Sequence, residues 1–140
     1  MTKVNPYLTF NGNCEEAFRF YKSAFGGEFL YIGRYKDVPA ADQQTFQVED
    51  KEKIMHVSLP ISEETVLMGC DSAEASGQGA ILGNNICLSI STDGNEKADR
   101  LFNELSAGGE IKMLMAKTFW GAYFGAFTDK FGINWTISSD

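Results

Sequence analysis

The sequence contains a single histidine, His56, the side chain best suited to proton transfer or metal ligation near neutral pH. One imidazole does not hold zinc or iron by itself, because such ions take three or more protein ligands. Glu28 and Glu110 are the carboxylates placed to assist, but each follows a Gly-Gly helix stop and reads as a solvent-facing strand start. His56 is therefore expected to be a hydrogen-bonded sheet residue or a ligand contact. Metal ligation and general-base chemistry are the sharper alternatives. Spacing pairs it with no nucleophile. No Gly-x-Ser-x-Gly segment occurs, and Ser76 with Gly77 falls in a small-residue stretch. Cys14 opens a helix, where the dipole favours thiolate, yet no histidine is placed beside it; a buried structural thiol is the expected role. The pairs Gly26, Gly27 and Gly108, Gly109 end helices and do not follow strands, so they form no phosphate-cradling loop.

Binding is the chemistry that the composition favours. Aromatic residues make up 13% of the 140 residues, more than two thin helix–sheet seams require. Phe119, Trp120, Tyr123 and Phe124 cluster just before the last hairpin. Aromatic walls with a few polar groups are what a small-molecule pocket offers, and an aromatic or otherwise planar ligand suits them. For Phe119 and Phe124, packing in a core or a dimer interface is an equal alternative. A net charge of -7 argues against nucleic acid, whose phosphates need Lys and Arg, and against anionic membrane surfaces. No apolar run approaches the roughly 20 residues that cross a bilayer, and the start, Met-Thr-Lys-Val-Asn-Pro, has no signal-peptide core. Cys14, Cys70 and Cys87 are odd in number and far apart, the pattern of reduced thiols in a cytoplasmic protein.

The elements that would position these residues repeat. Asn5–Glu28 and Asn85–Glu110 follow one plan: an alternating strand, an acidic helix start, and a closing Gly-Gly-Glu. Leu8 aligns with Leu88, Phe10 with Ile90, Glu16 with Glu96 and Phe25 with Leu105. Asn13 is the expected cap of the first helix, with Glu16 reaching back, and Ala17, Phe18, Tyr21, Ala24 and Phe25 form its apolar face. Thr92 or Asp93 is the expected cap of the second, with Ala98, Leu101, Phe102 and Leu105 as its stripe. Strands are expected over Val4–Phe10, Glu28–Tyr35, Ile54–Ile61 and Thr65–Cys70. In the second half they are expected over Asn85–Ser91, Ile111–Met115, Tyr123–Thr128 and Asn134–Ser138. Hairpins at Ser62–Glu64 and Asp129–Gly132 close two pairs. The organisation is thus one domain over 1–140, with module one at 1–70, a flexible Ser/Ala/Gly-rich connector at 71–83, and module two at 84–140.

Period-two alternation sorts the strand residues. Leu8, Phe10, Met55, Val57, Leu59, Ile61, Ile86, Leu88, Ile90, Trp135 and Ile137 should meet the helices. Tyr7, Thr9, His56, Ser58, Asn85, Cys87, Ser89, Asn134 and Thr136 are left on the other face. That face is either solvent-exposed or the wall of a cavity, and Tyr7, Thr9, His56, Asn85 and Thr136 would supply its hydrogen bonds.

The doubled strand–helix–three-strand plan resembles the glyoxalase/bleomycin-resistance/extradiol-dioxygenase (vicinal oxygen chelate) superfamily. Three stretches resemble its PhnB-like branch: residues 7–17 (YLTFNGNCEEA), Phe20-Tyr21 with Phe25-Gly26-Gly27-Glu28, and Phe119-Trp120-Gly121 through Phe131-Gly132-Ile133-Asn134-Trp135. The resemblance implies an α+β fold of two βαβββ modules whose curved mixed sheet surrounds a cleft. It also implies a homodimer, with or without exchange of modules. Enzymes of the superfamily place a divalent ion in the cleft as a Lewis acid. Carried over strand by strand, the ion's ligand positions fall on Tyr7, Asn85 and Thr136, none of them a His or carboxylate, so no metal and no other cofactor is expected. Some relatives of the branch carry a demethylubiquinone methyltransferase label. That chemistry calls for a nucleotide-type cofactor loop, which the sequence lacks. The expected function is metal-free binding of a small molecule through Tyr7, Thr9, His56, Asn85, Trp120, Tyr123 and Thr136. The alternatives are a metal-dependent lyase, isomerase or dioxygenase, and a non-catalytic structural dimer.

Overall fold

Alternating Tyr7–Phe10 forms β1, and the turn after it feeds helix α1, Cys14–Phe25. A computed structural model of the chain describes residues 1–39, 50–72 and 79–139. The remaining elements are β2 (Tyr31–Arg34), a short 3-10 turn (Tyr35–Asp37), β3 (Ile54–Pro60), β4 (Val66–Asp71), β5 (Leu88–Thr92), α2 (Asn95–Ser106), β6 (Glu110–Lys117), β7 (Tyr123–Thr128) and β8 (Asn134–Ser139). They form two compact units, Met1–Ile81 and Leu82–Asp140. Each unit holds one four-stranded mixed sheet, in the orders β1-β4-β3-β2 and β5-β8-β7-β6. In both, the first strand runs parallel to the last and the other pairs are antiparallel. The repeat seen in the sequence is thus a repeat of topology.

Each helix covers one sheet face with the stripe its periodicity gives. Ala17, Phe18, Tyr21 and Ala24 are buried on α1, with Phe25 half-buried; Ala98, Leu101, Phe102 and Leu105 are buried on α2. Edge-to-face contacts between Phe10 and Phe18 and between Phe102 and Phe127 join helix to sheet. Gly26 and Gly27 stop α1 at φ 82° and 81°, where a β-carbon would be strained.

Several boundaries differ from expectation. β1 starts at Tyr7 and not at Val4, which is solvent-exposed; β2 starts at Tyr31; β5 starts at Leu88. Ahead of β5 the chain is held instead by the Asn134 side-chain amide, which donates to the Gly83 and Ile86 carbonyls. Met55 does not share the core side of Val57 and Leu59. Gly33 pairs with His56 and Arg34 with Ile54, so Met55 is an extra residue in a bulge, and Ile54 takes its place in the core.

The caps differ too. Neither Asn13 nor Gly94, the residues that precede the helices, makes a side-chain cap bond. At α1 the acceptor is distant in sequence: Asp71 Oδ1 accepts from the Gly12 and Cys14 amides, both at 2.9 Å. Its Oδ2 accepts from the Ile54 amide, also at 2.9 Å. Asp71 is therefore the buried last residue of β4 and not the start of a flexible connector. The connector's remaining residues lie partly outside those described; its far end is tied where Asn11 exchanges hydrogen bonds with the Ala80 backbone.

Tyr35 gives this network a pH dependence. Its hydroxyl donates to the Asp71 carbonyl at 2.8 Å, and burial, with the Cys70 and Asp71 charges, pushes its phenol up to about 12. A phenol titrating higher in the folded than in the unfolded chain, where it titrates near 10, favours the protonated fold. Its contribution is complete below pH 10 and is lost as pH rises toward 12. Urea midpoints measured across that window should fall for wild type and fall less for Tyr35→Phe, which should itself cost about 1 kcal/mol at neutral pH.

Candidate functional site

The helix-free face of the first sheet is built by alternation and by one long reach. Tyr7 and Thr9 on β1 face it, and so do Met68 and Cys70 on β4, because Tyr7 lies opposite Met68 and Thr9 opposite Cys70. On β3 the face carries His56 and Ser58, and on β2 it carries Gly33 and Tyr31, their ladder partners. β4 lies between β1 and β3. The Tyr7 side chain must therefore cross β4 to place its hydroxyl 3.1 Å from His56 Nδ1. The two rings stack with centroids 5.6 Å apart and planes at 27°. Tyr31 approaches the same imidazole from β2, at 5.9 Å and 35°. A β-carbon at Gly33 would overlap the Tyr31 hydroxyl, so glycine is what lets that ring lie down across its own strand.

Electrically this face is neutral. Among the described residues, its strand positions carry no Lys, Arg, Asp or Glu. Arg34, which follows Gly33, instead donates to Glu15 of α1 at 3.0 Å, and this pairing together with Arg19 holds the Glu15 carboxyl below its usual range. Partial burial, and then the neighbouring Cys70 thiol, push the Tyr7 phenol well above the ordinary tyrosine range, so its proton stays in place. The thiol of Cys14, buried on the other side of the sheet, is pushed up by desolvation and by Asp71, and suits structural burial, not nucleophilic attack.

Sequence reasoning thus brought Tyr7, Thr9 and His56 to one face, and the structure puts the first and last in direct contact. It missed Tyr31 as a partner. The available signal was the Tyr31-x-Gly33 spacing, an aromatic ring two residues from a glycine it can cover.

The other candidates belong to the second unit. Thr136 lies on the helix-free face of its sheet, between Ser89 of β5 and Ala126 of β7. Asn85 is exposed just ahead of β5. Trp120 sits with Phe119 at the tip of the β6–β7 turn, and both are exposed. That turn is held closed by the Thr118 hydroxyl and backbone bonding Ala122. Trp120 meets Phe119 edge-to-face at 4.9 Å and Phe124 at 6.1 Å. Tyr123 points to the helix side of its sheet: its hydroxyl donates to Asp99 of α2 at 2.7 Å, a bond that raises the phenol's titration.

The residues present do not fit a divalent ion. Among the described residues no three His, Cys, Asp or Glu side chains come together. The oxygen at the first-strand position, that of Tyr7, is a protonated phenol hydrogen-bonded with His56 and with Cys70. Glu28 and Glu110 are exposed and pair with Lys22 and Lys112. A nucleotide-type cofactor meets a different obstacle. The strand–turn–helix corner β1–α1, where such folds hold phosphate on helix amides, is filled by the Asp71 carboxylate. No helix of the described residues is long and apolar enough to cross a membrane.

Comparison with known proteins agrees with this architecture. A model of the family described as 3-demethylubiquinone-9 3-methyltransferase matches residues 2–138. Protein YjdN of Escherichia coli K12 is 32% identical over 142 residues, covering 96% of this chain and 93% of YjdN. The crystal structure of protein PA1353 from Pseudomonas aeruginosa superposes with a TM-score of 0.86 at 34% identity, covering 100% of this chain and 98% of that one. The PhnB protein from Bacillus cereus shares the fold, with a TM-score of 0.78 at 24% identity over 99% of this chain and 100% of its own.

Proposed function

Because the chain belongs to the family described as 3-demethylubiquinone-9 3-methyltransferase and shares its fold with a glyoxalase/bleomycin-resistance protein/dioxygenase domain, we propose a function that rests on its site and not on the family's label: binding of a planar small molecule without a metal. The observation that carries this reading is the uncharged aromatic face of the first sheet, where Tyr7 and Tyr31 flank His56. Tyr and His rings offer flat, half-exposed surface to a ring of the ligand, and Thr9 offers a hydroxyl beside them. On the second unit, taken by itself, Thr136 and Asn85 offer hydrogen-bonding groups and Trp120 an exposed aromatic surface. Tyr123 joins this set only by leaving Asp99. Methyl transfer has less support, since Asp71 occupies the corner a nucleotide-type cofactor would use.

The same reading takes the protein to be a homodimer, with or without exchange of modules, supported by the exposed Ile111, Met113 and Leu114 of β6. It also puts the protein in the cytoplasm, where three free thiols stay reduced.

Quinoline, a planar probe, tests the reading on protein stripped with EDTA. Near-saturating quinoline should raise the melting temperature by about 5 °C. His56→Ala and Tyr31→Ala should each remove most of that rise, and added manganese, zinc or nickel should leave it unchanged. No rise, or a rise that requires one of those ions, would overturn the proposal.

A further inference from the structure

The proposed binding face leaves open which planar molecules it accepts, and the Tyr7–His56 contact narrows the choice. Resting on that reading, we infer that Tyr7 is a positioning residue that fixes His56 as its Nε2–H tautomer, so that the face selects planar ligands carrying a hydrogen-bond acceptor.

The geometry leading there is unusual for a sheet. Tyr7 reaches past the Cys70 thiol of β4, which its hydroxyl also meets, to end 3.1 Å from His56 Nδ1 on β3. A phenol that keeps its proton is a good donor, and a neutral imidazole offers one ring nitrogen as acceptor and the other as donor. With Nδ1 accepting from Tyr7, the ring proton sits on Nε2. Among the described residues nothing takes that Nε2–H in hydrogen bond. Tyr31 limits the ring's alternatives: it lies against the imidazole at 5.9 Å, and its hydroxyl fills the space over Gly33, the ladder partner of His56. The result is a fixed N–H between two aromatic rings, on a face whose described strand positions carry no charge to compete with it.

Selection follows from the cost of leaving that donor unpaired. A ligand with an acceptor at its ring edge accepts from Nε2–H as solvent would. A hydrocarbon of the same shape covers the donor and pairs it with nothing, which costs enough to be read as a difference in affinity. Quinoline and naphthalene are such a pair, alike in outline and differing by one ring nitrogen.

The single histidine makes the test direct, since ¹⁵N-histidine labelling gives one pair of ring-nitrogen signals. At a pH where the ring is neutral, Nε2 should carry the proton and Nδ1 should give an imine-type shift. Tyr7→Phe, at a half-exposed position that accepts the change, should move both signals toward a tautomer mixture. A proton on Nδ1 in the wild type, or spectra unchanged in Tyr7→Phe, would overturn the inference. Titrations followed on the same signals should show quinoline binding about tenfold tighter than naphthalene in the wild type. Tyr7→Phe should erase most of that preference, bringing the two affinities within about threefold of each other. Equal affinities in the wild type would overturn the selectivity and leave the proposed function standing. Binding of neither probe would overturn both.

Discussion

Asp71→Ala is expected to destabilise the first unit by about 3–5 kcal/mol, a large part of a small unit's stability. The carboxylate is buried and satisfies three amides from two distant places: Gly12 and Cys14 at the entrance to α1, and Ile54 at the start of β3. Removing it leaves all three donors without an acceptor in a dry environment, at about 1–3 kcal/mol for each left fully unpaired. Asp71→Asn should also be costly, because its amide group would direct N–H bonds at one or more amides that already donate. Urea denaturation reads the loss, and hydrogen exchange should locate it at the amides of residues 12, 14 and 54. A change below about 1 kcal/mol would mean that the corner has another source of acceptors.

Asp129→Ala should cost a similar amount, about 3–4 kcal/mol, in the second unit. Asp129 is buried at the β7–β8 turn, where Oδ1 accepts from the Phe131 amide at 2.8 Å and the Ile133 amide at 3.0 Å. Oδ2 accepts from the indole of Trp135 at 2.8 Å. The carboxylate therefore fixes both the turn and the rotamer of a large core residue. In a Trp120→Phe background, Trp135 is the remaining fluorophore. Asp129→Ala should then show a lower unfolding midpoint and altered native Trp135 emission. Trp135→Phe, which removes the indole donor and also leaves a smaller ring in the core, should keep the Phe131 and Ile133 amides paired and so leave their hydrogen exchange slow. Equal stability of Asp129→Ala and wild type would contradict this assignment.

These two carboxylates show where sequence reasoning reached its limit. Asp129 was legible as a turn residue because its role is local: it bonds amides two and four residues on. Asp71 was not, since its partners lie 59, 57 and 17 residues away and nothing in a run of Ser, Ala and Gly announces a buried acceptor. The helices and their buried stripes were readable because periodicity and Gly-Gly stops are local signals. The β3 face was misjudged at Met55 because a bulge resets the alternation and leaves no mark in the sequence. On the site, alternation brought Tyr7, Thr9 and His56 to one face. Strand order made the Tyr7–His56 contact, and strand order is a long-range property. Tyr123 was assigned by clustering with its neighbours, whereas its parity along β7 and its bond to Asp99 take it to the helix side.

The resemblance to metal-bearing enzymes and the observed donor set pull in different directions, and chemistry favours the donors. A phenol whose proton is held tightly and whose hydroxyl already hydrogen-bonds an imidazole and a thiol is a poor first ligand for a divalent ion.

A crystal structure of EDTA-stripped protein grown with quinoline tests the central claim most directly. The account predicts the quinoline ring against Tyr7, His56 and Tyr31, with its nitrogen within hydrogen-bonding distance of His56 Nε2 and no metal ion at the site. Quinoline bound elsewhere, or a stoichiometric metal ion on His56 when the crystals are grown with manganese or zinc, would contradict it.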